Sequence, residues 1–298
     1  MDEETDNIIE EQKTIRHIVM SGGGVAGFSF YGALRESNRQ GVWDINNIKT
    51  IYGTSIGAMF GLIISLKYDW ETLNDFLIKR PWQNVYSFNL QNIFSTFHTR
   101  GIFGVKVLED TFLPLFRGRD VSIDATMKEF FETMNIELHF YSVNINNFDI
   151  IDFSYKTHPD WRVIDALYCS CCLPILMQPI LKDGACYSDG GILMNYPVKN
   201  CIENGADPDE IFGICRKPIM RLNCEITADS SLFDYILNIF YKTIERVLNN
   251  RNTLVLKNEI YIDCPPLSIS DIFNTSSSPE ERIRLIKFGA DSWLTRDT

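Results

Sequence analysis

The chain is constrained most by a serine framed by glycines at a strand-to-helix junction. Gly53-Thr54-Ser55-Ile56-Gly57 follows the apolar run Ile48–Tyr52 and opens the apolar stretch Ser55–Leu66. The first has the length of a strand and the second the length of a buried helix. Glycines on both sides allow a turn sharp enough to push the serine hydroxyl into solvent, as a nucleophile elbow requires. The motif alone is weak, because small residues also fill tight strand-to-helix turns. A second glycine-rich turn lies upstream, Ser21-Gly22-Gly23-Gly24-Val25-Ala26-Gly27, after the strand candidate Ile15–Met20. Glycines there leave N–H groups unshielded beside a helix N-terminus, a nest that suits a phosphate or an oxyanion.

Beyond these turns, strands alternate with helices. The pattern predicts helices at Trp70–Lys79, Val105–Phe116, Thr126–Asn135 and Ser231–Leu248, and one from just before Pro159 to about Cys172. Thr126 and Glu129 have capping-box spacing, and Ser278-Pro279-Glu280-Glu281 opens a final helix. Ile136–Ile145 and Asp149–Tyr155 form a hairpin candidate through Asn146-Asn147, and Glu210–Cys215 and Glu259–Asp263 are further short strands. The expected class is α/β, with a mainly parallel sheet covered on both faces. Residues 1–14 read as a disordered acidic tail, 15–215 as one domain, and 216–298 as a mostly helical extension packed on it.

Charge narrows the partners. The 298 residues carry 28 Lys+Arg against 39 Asp+Glu, a net charge of -11. That argues against nucleic acid, which needs a basic face, and against electrostatic attraction to anionic lipid. Contact with a membrane surface would have to rest on apolar side chains, and zwitterionic or neutral lipid fits better. The eight cysteines are unevenly placed and read as reduced thiols. Cys169 and Cys172 form a lone C-x-x-C without a second pair to complete a zinc site, so small buried residues are expected there. The acidic start has no apolar core, so no classical signal peptide is expected. A cytoplasmic or membrane-peripheral location follows, and high Ile and Asn usage is compatible with the AT-rich genome of a virus or parasite.

The upstream turn also fits G-x-G-x-x-G, a dinucleotide fingerprint. That reading needs an acid at the end of the next strand, where Tyr52-Gly53-Thr54-Ser55 stands instead, so no nucleotide cofactor is expected. A base for Ser55 is harder to find among histidines. His17, His98, His139 and His158 are the four, and none lies in the last 140 residues, where the α/β-hydrolase order places its histidine. His139 sits inside an apolar strand run, and His98 and His158 flank loops. A carboxylate acting directly on the serine is the economical alternative. Asp189-Gly190-Gly191, after the Cys186-Tyr187 strand, offers one, although an Asp before two glycines is often only a turn residue.

Taken together, these segments resemble the patatin-like phospholipase family. Gly22–Gly27 looks like its oxyanion motif, Gly53–Gly57 its nucleophile elbow, and Asp189-Gly190-Gly191 its D-G-[AG] motif. Ala166–Pro174 with Gln178-Pro179-Ile180, and Asn195-Tyr196-Pro197-Val198, fit two further stretches. The similarity runs from about Arg16 to Cys201. It implies a three-layer α/β/α fold and a Ser–Asp dyad without histidine. It also implies lipid acyl hydrolysis of phospholipase A or lysophospholipase type, with no cofactor and no catalytic calcium. On this resemblance Ser55 is the nucleophile and Asp189 the base. Gly22, Gly23, Gly24 and Ile56 form the oxyanion hole, and Gly27, Gly53, Gly57, Gly190 and Gly191 are the motif glycines. One departure is Ala26, where family members often carry Arg or Lys, which bears on headgroup preference. Phe88, Leu90, Ile93, Phe94, Phe97, Ile102 and Phe103 form an aromatic cluster suited to a lid, or else to the core. Two other readings remain: a catalytically silent lipid-binding module on the same fold, and a Ser–His–Asp esterase.

Overall fold

The computed structural model describes residues 13–87, 96–217, 226–228, 230–248, 256–263 and 268–296. An eight-stranded sheet organises them. β1 (His17–Met20) pairs in parallel with β2 (Thr50–Thr54), and β2 with β4 (Glu137–Asn144). On the other side, β1 pairs in parallel with β9 (Ile211–Arg216), and β9 with β10 (Asn258–Ile262). β5 (Asp149–Phe153), β7 (Ile180–Lys182) and β8 (Ala185–Asp189) add antiparallel pairs. β3 (Gly101–Phe103) and β6 (Ile175–Met177) form a separate two-stranded sheet. The core strands β1, β2, β4 and β9 are buried nearly throughout, as strands covered on both faces must be.

Two strands meet head to head, and that meeting positions the site. β4 residues 140–144 pair with β5 along one flank. The opposite flank is shared. β2 occupies it as far as Thr54, opposite Tyr141, and β8 occupies it from Asp189, opposite Ser142. β2 runs toward this point and β8 arrives antiparallel from the other direction. Their last residues therefore face adjacent positions of one strand, and Ser55 and Asp189 converge.

Three helices carry the rest of the frame. α1 (Gly27–Arg39) follows a 3-10 turn at Gly24–Ala26, α2 (Ile56–Ser65) follows Ser55, and α3 (Trp70–Lys79) is capped by the Asp69 side chain. The helix Met127–Met134 has the expected capping box between Thr126 and Glu129. The C-terminal helix Pro279–Leu294, capped by Ser278, lies against α1 so closely that a Cβ on Gly32 would stand 1.9 Å from the Ile286 carbonyl oxygen. A Cβ on Gly289 would stand 1.8 Å from that of Ser29, so the two backbones touch in both directions. Residues beyond 215 thus supply β10 to the main sheet and a helix to α1. Of the N-terminal tail, residues 1–12 lie outside the described residues, while Lys13 bonds to Asp207.

One expectation needs correction. The helix before Cys172 begins at Val163, not before Pro159. The carbonyls of Pro159 and Trp161 instead accept the N–H groups of Lys128 and Met127, so this segment caps a neighbouring helix. Of the aromatic cluster, three members lie within the described residues. Ile102 and Phe103 are buried in β3, and Phe97 is 84% exposed. Phe88, Leu90, Ile93 and Phe94 lie outside the described residues.

Candidate active site

Ser55 adopts φ 55 and ψ -124, a region that costs a non-glycine residue about 1–3 kcal/mol. The strain turns the chain from β2 directly into α2 and leaves the side chain half-buried at the junction. The turn is possible because α2 begins in contact with β1. A Cβ on Gly57 would stand 2.5 Å from the carbonyl oxygens of Met20 and Ser21. Gly53 is the fourth residue of β2, and Gly27, at the start of α1, leaves room for Ile56 and Phe60.

Asp189 ends β8 and is only 4% exposed. Gly191 N–H donates to its Oδ1 at 2.8 Å, within the single 3-10 turn Gly190–Ile192. Burial pushes its carboxyl up to about 6, against the opposing donor interactions from the Ser55 side chain and the Gly191 N–H. The pair expected from sequence is therefore brought together, with the hydroxyl facing a carboxylate that holds a proton-accepting pKa near neutrality.

The glycine-rich loop behaves differently from expectation at one position. Gly22 N–H donates to the Asn195 carbonyl at 3.0 Å, so it is committed to the backbone and unavailable to an oxyanion. Gly23 and Gly24 follow, with Gly24 at φ +58, and Gly23 contributes its carbonyl to Ala26 N–H. Among the described residues, the N–H groups of Gly23, Gly24 and Ile56 donate to no backbone acceptor. A Cβ on Gly22 would stand 3.4 Å from the Ser55 Cβ, so loop and serine are neighbours. Ala26 is buried, and the Arg216 stem comes within 3.7 Å of where a Gly23 Cβ would stand. A basic side chain thus borders the loop from β9, in a place the linear motif does not reveal.

The histidines are occupied elsewhere. His17 meets the Thr50 hydroxyl, and His158 meets the Asp152 carbonyl and the Thr157 hydroxyl. His139 is held between Asp152 (2.8 Å) and Glu137 (3.1 Å) and stacks on Tyr52. His98 is exposed. The ring partners of His17, His139 and His158 include neither Ser55 nor Asp189. Cys169, Cys171, Cys172, Cys186 and Cys201 are free thiols, and among the described residues no cluster has the makings of a metal site.

Sequence reasoning missed several supporting groups. Asn195 joins the two glycine motifs: its carbonyl takes Gly22 N–H, and its Oδ1 lies 3.1 Å from where a Gly191 Cβ would stand. Thr54 donates to the Met194 carbonyl at 2.7 Å, fastening the end of β2 to the same segment. Asn195-Tyr196-Pro197-Val198 is legible as a motif, but not as the strut between the glycine-rich loop and the Asp189-Gly190-Gly191 turn.

Against known proteins, the profile of the patatin-like phospholipase family matches residues 18–202, well over half of the chain. The chain belongs to that family. A probable lipid hydrolase of Invertebrate iridescent virus 6 is 30% identical over 194 residues, covering 64% of this chain and 64% of the relative. An uncharacterized protein of Acanthamoeba polyphaga mimivirus is 26% identical over 198 residues, covering 66% and 65%. The matches thus span just under two thirds of these viral relatives' own lengths. The crystal structure of VipD from Legionella pneumophila superposes with a TM-score of 0.57 at 16% identity, covering 95% of this chain and 66% of that one. That likeness supports the three-layer patatin-like fold, with its mixed sheet between helices. Among the described residues, no helix of this family member is long and apolar enough to cross a membrane.

Proposed function

We propose that the protein hydrolyses carboxylic esters of lipids, in the manner of a phospholipase A or lysophospholipase, through Ser55 and Asp189. The observation that carries this reading is the convergence of a strained serine and a buried carboxylate at the head-to-head ends of β2 and β8. Asp189 takes the Ser55 proton as Oγ attacks the ester carbonyl. The N–H groups of Gly23, Gly24 and Ile56 receive the negative charge on the tetrahedral oxygen. Asp189 then returns the proton to the departing alcohol. Water, activated by the same carboxylate, releases the fatty acid and restores the serine. No step calls on a histidine or on catalytic calcium. Membership of the family and the lipid hydrolase name of the viral relative support lipid as the substrate class. Access to a lipid surface rests on apolar side chains, of which exposed Phe97 is one.

A fluorophosphonate probe tests the nucleophile. Ser55 Oγ displaces fluoride from phosphorus, and mass spectrometry should find the adduct on the Ser55 peptide. His158→Ala should label and turn over within about twofold of wild type, since that ring is bound to the Asp152 carbonyl. An unlabelled wild type would favour a silent lipid-binding module, and loss of labelling in His158→Ala would favour a Ser–His–Asp esterase.

The base sets the pH dependence. Asp189 must be ionised to accept a proton, and its carboxyl is pushed up to about 6. Turnover of a short-chain nitrophenyl ester should therefore rise through about pH 6 and level off above it. A profile with its midpoint near 4 would mean that the working base is not this buried carboxylate.

A further inference from the structure

The end of the helix Val163–Ser170 touches both members of the pair. Ser55 N–H donates to the Ser170 hydroxyl oxygen at 3.0 Å. The Cys171 thiol donates to the Ser55 carbonyl at 3.3 Å. Asp189 N–H donates to the Cys172 carbonyl at 2.9 Å, and the Ser188 hydroxyl reaches the same oxygen at 3.1 Å. The segment is itself tied to the sheet, because the Ser142 hydroxyl bonds to the carbonyls of Cys169 and Ser188. Three consecutive residues thus hold backbone groups of the serine and of the aspartate, and all three are buried.

This arrangement answers a physical need. A serine at φ 55 and ψ -124 stays there only if its surroundings over-determine it. The carbonyl of Ser55 is already used by α2, through Met59 N–H at 3.1 Å. Its N–H, lying past the end of the β2 ladder, depends on Ser170. The thiol of Cys171 stays protonated, because burial pushes it well up, and so it remains a donor. Filling space would not require either residue to be polar.

We propose that Ser170 and Cys171 are positioning residues, which lock the backbone of Ser55 in its strained turn and, through Cys172, fix its separation from Asp189. The inference rests on the reading of Ser55 as nucleophile. It assigns to two residues of the small-residue segment a role in the rate of attack and not in substrate affinity.

The test uses the full chain as wild type, Ser170→Ala, Cys171→Ala and Cys171→Ser. For each, the rate constant of fluorophosphonate labelling, kcat and KM on a short-chain nitrophenyl ester, the pH midpoint and Tm are measured. Ser170→Ala should label and turn over about tenfold more slowly or worse, with KM and the pH midpoint unchanged, because a small misplacement of a reacting group is costly. Cys171→Ala should be slowed in the same sense, and Cys171→Ser, which restores a donor, should recover most of the loss. A packing role would lower Tm and leave the rate per folded molecule alone. Labelling rates within twofold of wild type in both alanine variants would overturn the proposal, as would a Cys171→Ser variant as slow as Cys171→Ala. If Ser170→Ala fails to fold, the Cys171 pair decides. A wild type that does not label on Ser55 removes the underlying reading and this inference together. Labelled wild type with unaffected variants removes this inference alone.

Discussion

Asp189→Asn should yield a protein that is nearly inactive and more stable than wild type. On the proposed mechanism, loss of Asp189 as general base should lower turnover about 10³-fold, and Ser55→Ala, which removes the proposed nucleophile, by about 10⁴-fold or more. An Asp189→Asn enzyme keeping more than about a tenth of the wild-type rate would point to another base. The stability gain follows from burial. The carboxyl is raised from 3.8 to about 6. A carboxyl raised on folding favours the folded state below its unfolded value, and that favour is lost as pH rises through the folded value. Above pH 6 the folded protein therefore carries an ionised group where burial disfavours it, a cost of about 3 kcal/mol at 1.36 kcal/mol per unit. Asparagine keeps the shape and an acceptor for Gly191 N–H without the charge. Urea unfolding should show the variant ahead at pH 8 and level with wild type near pH 4. A variant less stable at pH 8 would mean that the bonds from Ser55 and Gly191 outweigh the burial.

His139→Leu should have the opposite effect, a large loss of stability with the rate per folded molecule unchanged. The imidazole sits between Glu137 and Asp152, with Lys156 bonded to Glu137 at 2.8 Å. Burial alone would lower its pKa, but its interactions with the Asp152 and Glu137 carboxylates outweigh it and the net shift is upward. A raised histidine contributes stability below its unfolded value near 6.5, and the contribution is lost as pH rises through the folded value. Glu137 is shifted the other way. Burial raises it, His139 and Lys156 lower it more, and its contribution is lost as pH falls through its folded value. Leucine leaves Glu137 buried with Lys156 alone and strips Asp152 of its cation. Breaking such a group by removing one member costs about 3 kcal/mol or more. The loss should be largest at pH 6 and shrink toward high pH, and Glu137→Gln in the same background should recover part of it. A His139→Leu variant with unchanged unfolding at pH 6 would show the cluster to be inert.

What could be read in advance follows the range of the forces involved. The helix α3 has the bounds its amphipathic pattern predicts, because that pattern and its stop at Pro81 are local, and the structure adds the equally local Asp69 cap. The capping box at Thr126 and Glu129 is local too. The elbow was legible because a strand, a tight turn and a buried helix succeed one another within twenty residues. The failures all involve distant partners. Gly22 looked like a donor to an oxyanion until Asn195 took its N–H. Pro159 looked helical until the helix Met127–Met134 claimed the neighbouring carbonyls. Cys171 read as a small hydrophobe, and nothing near it in sequence reveals that its thiol meets Ser55. Ile102 and Phe103 are as apolar as Phe97, and only tertiary packing separates them: both enter the hydrophobic core, Phe103 against Tyr86, while Phe97 stays exposed.

The placement of β9 bears on how fragments of this protein would behave. The family match closes at residue 202, yet the strand between β1 and β10 is β9, at residues 211–216. Its Ile214 carbonyl takes Ser21 N–H at 3.0 Å, and its Arg216 N–H donates to the Ser21 hydroxyl at 2.8 Å. A chain cut at the family boundary would leave β1 with a bare row of main-chain donors and acceptors on a hydrophobic strand. Such an edge recruits another copy of itself, so the truncated product should aggregate where the intact chain does not. The stretch that matches the family and the stretch that completes the sheet are therefore different lengths, and expression boundaries belong after the helix that clasps α1.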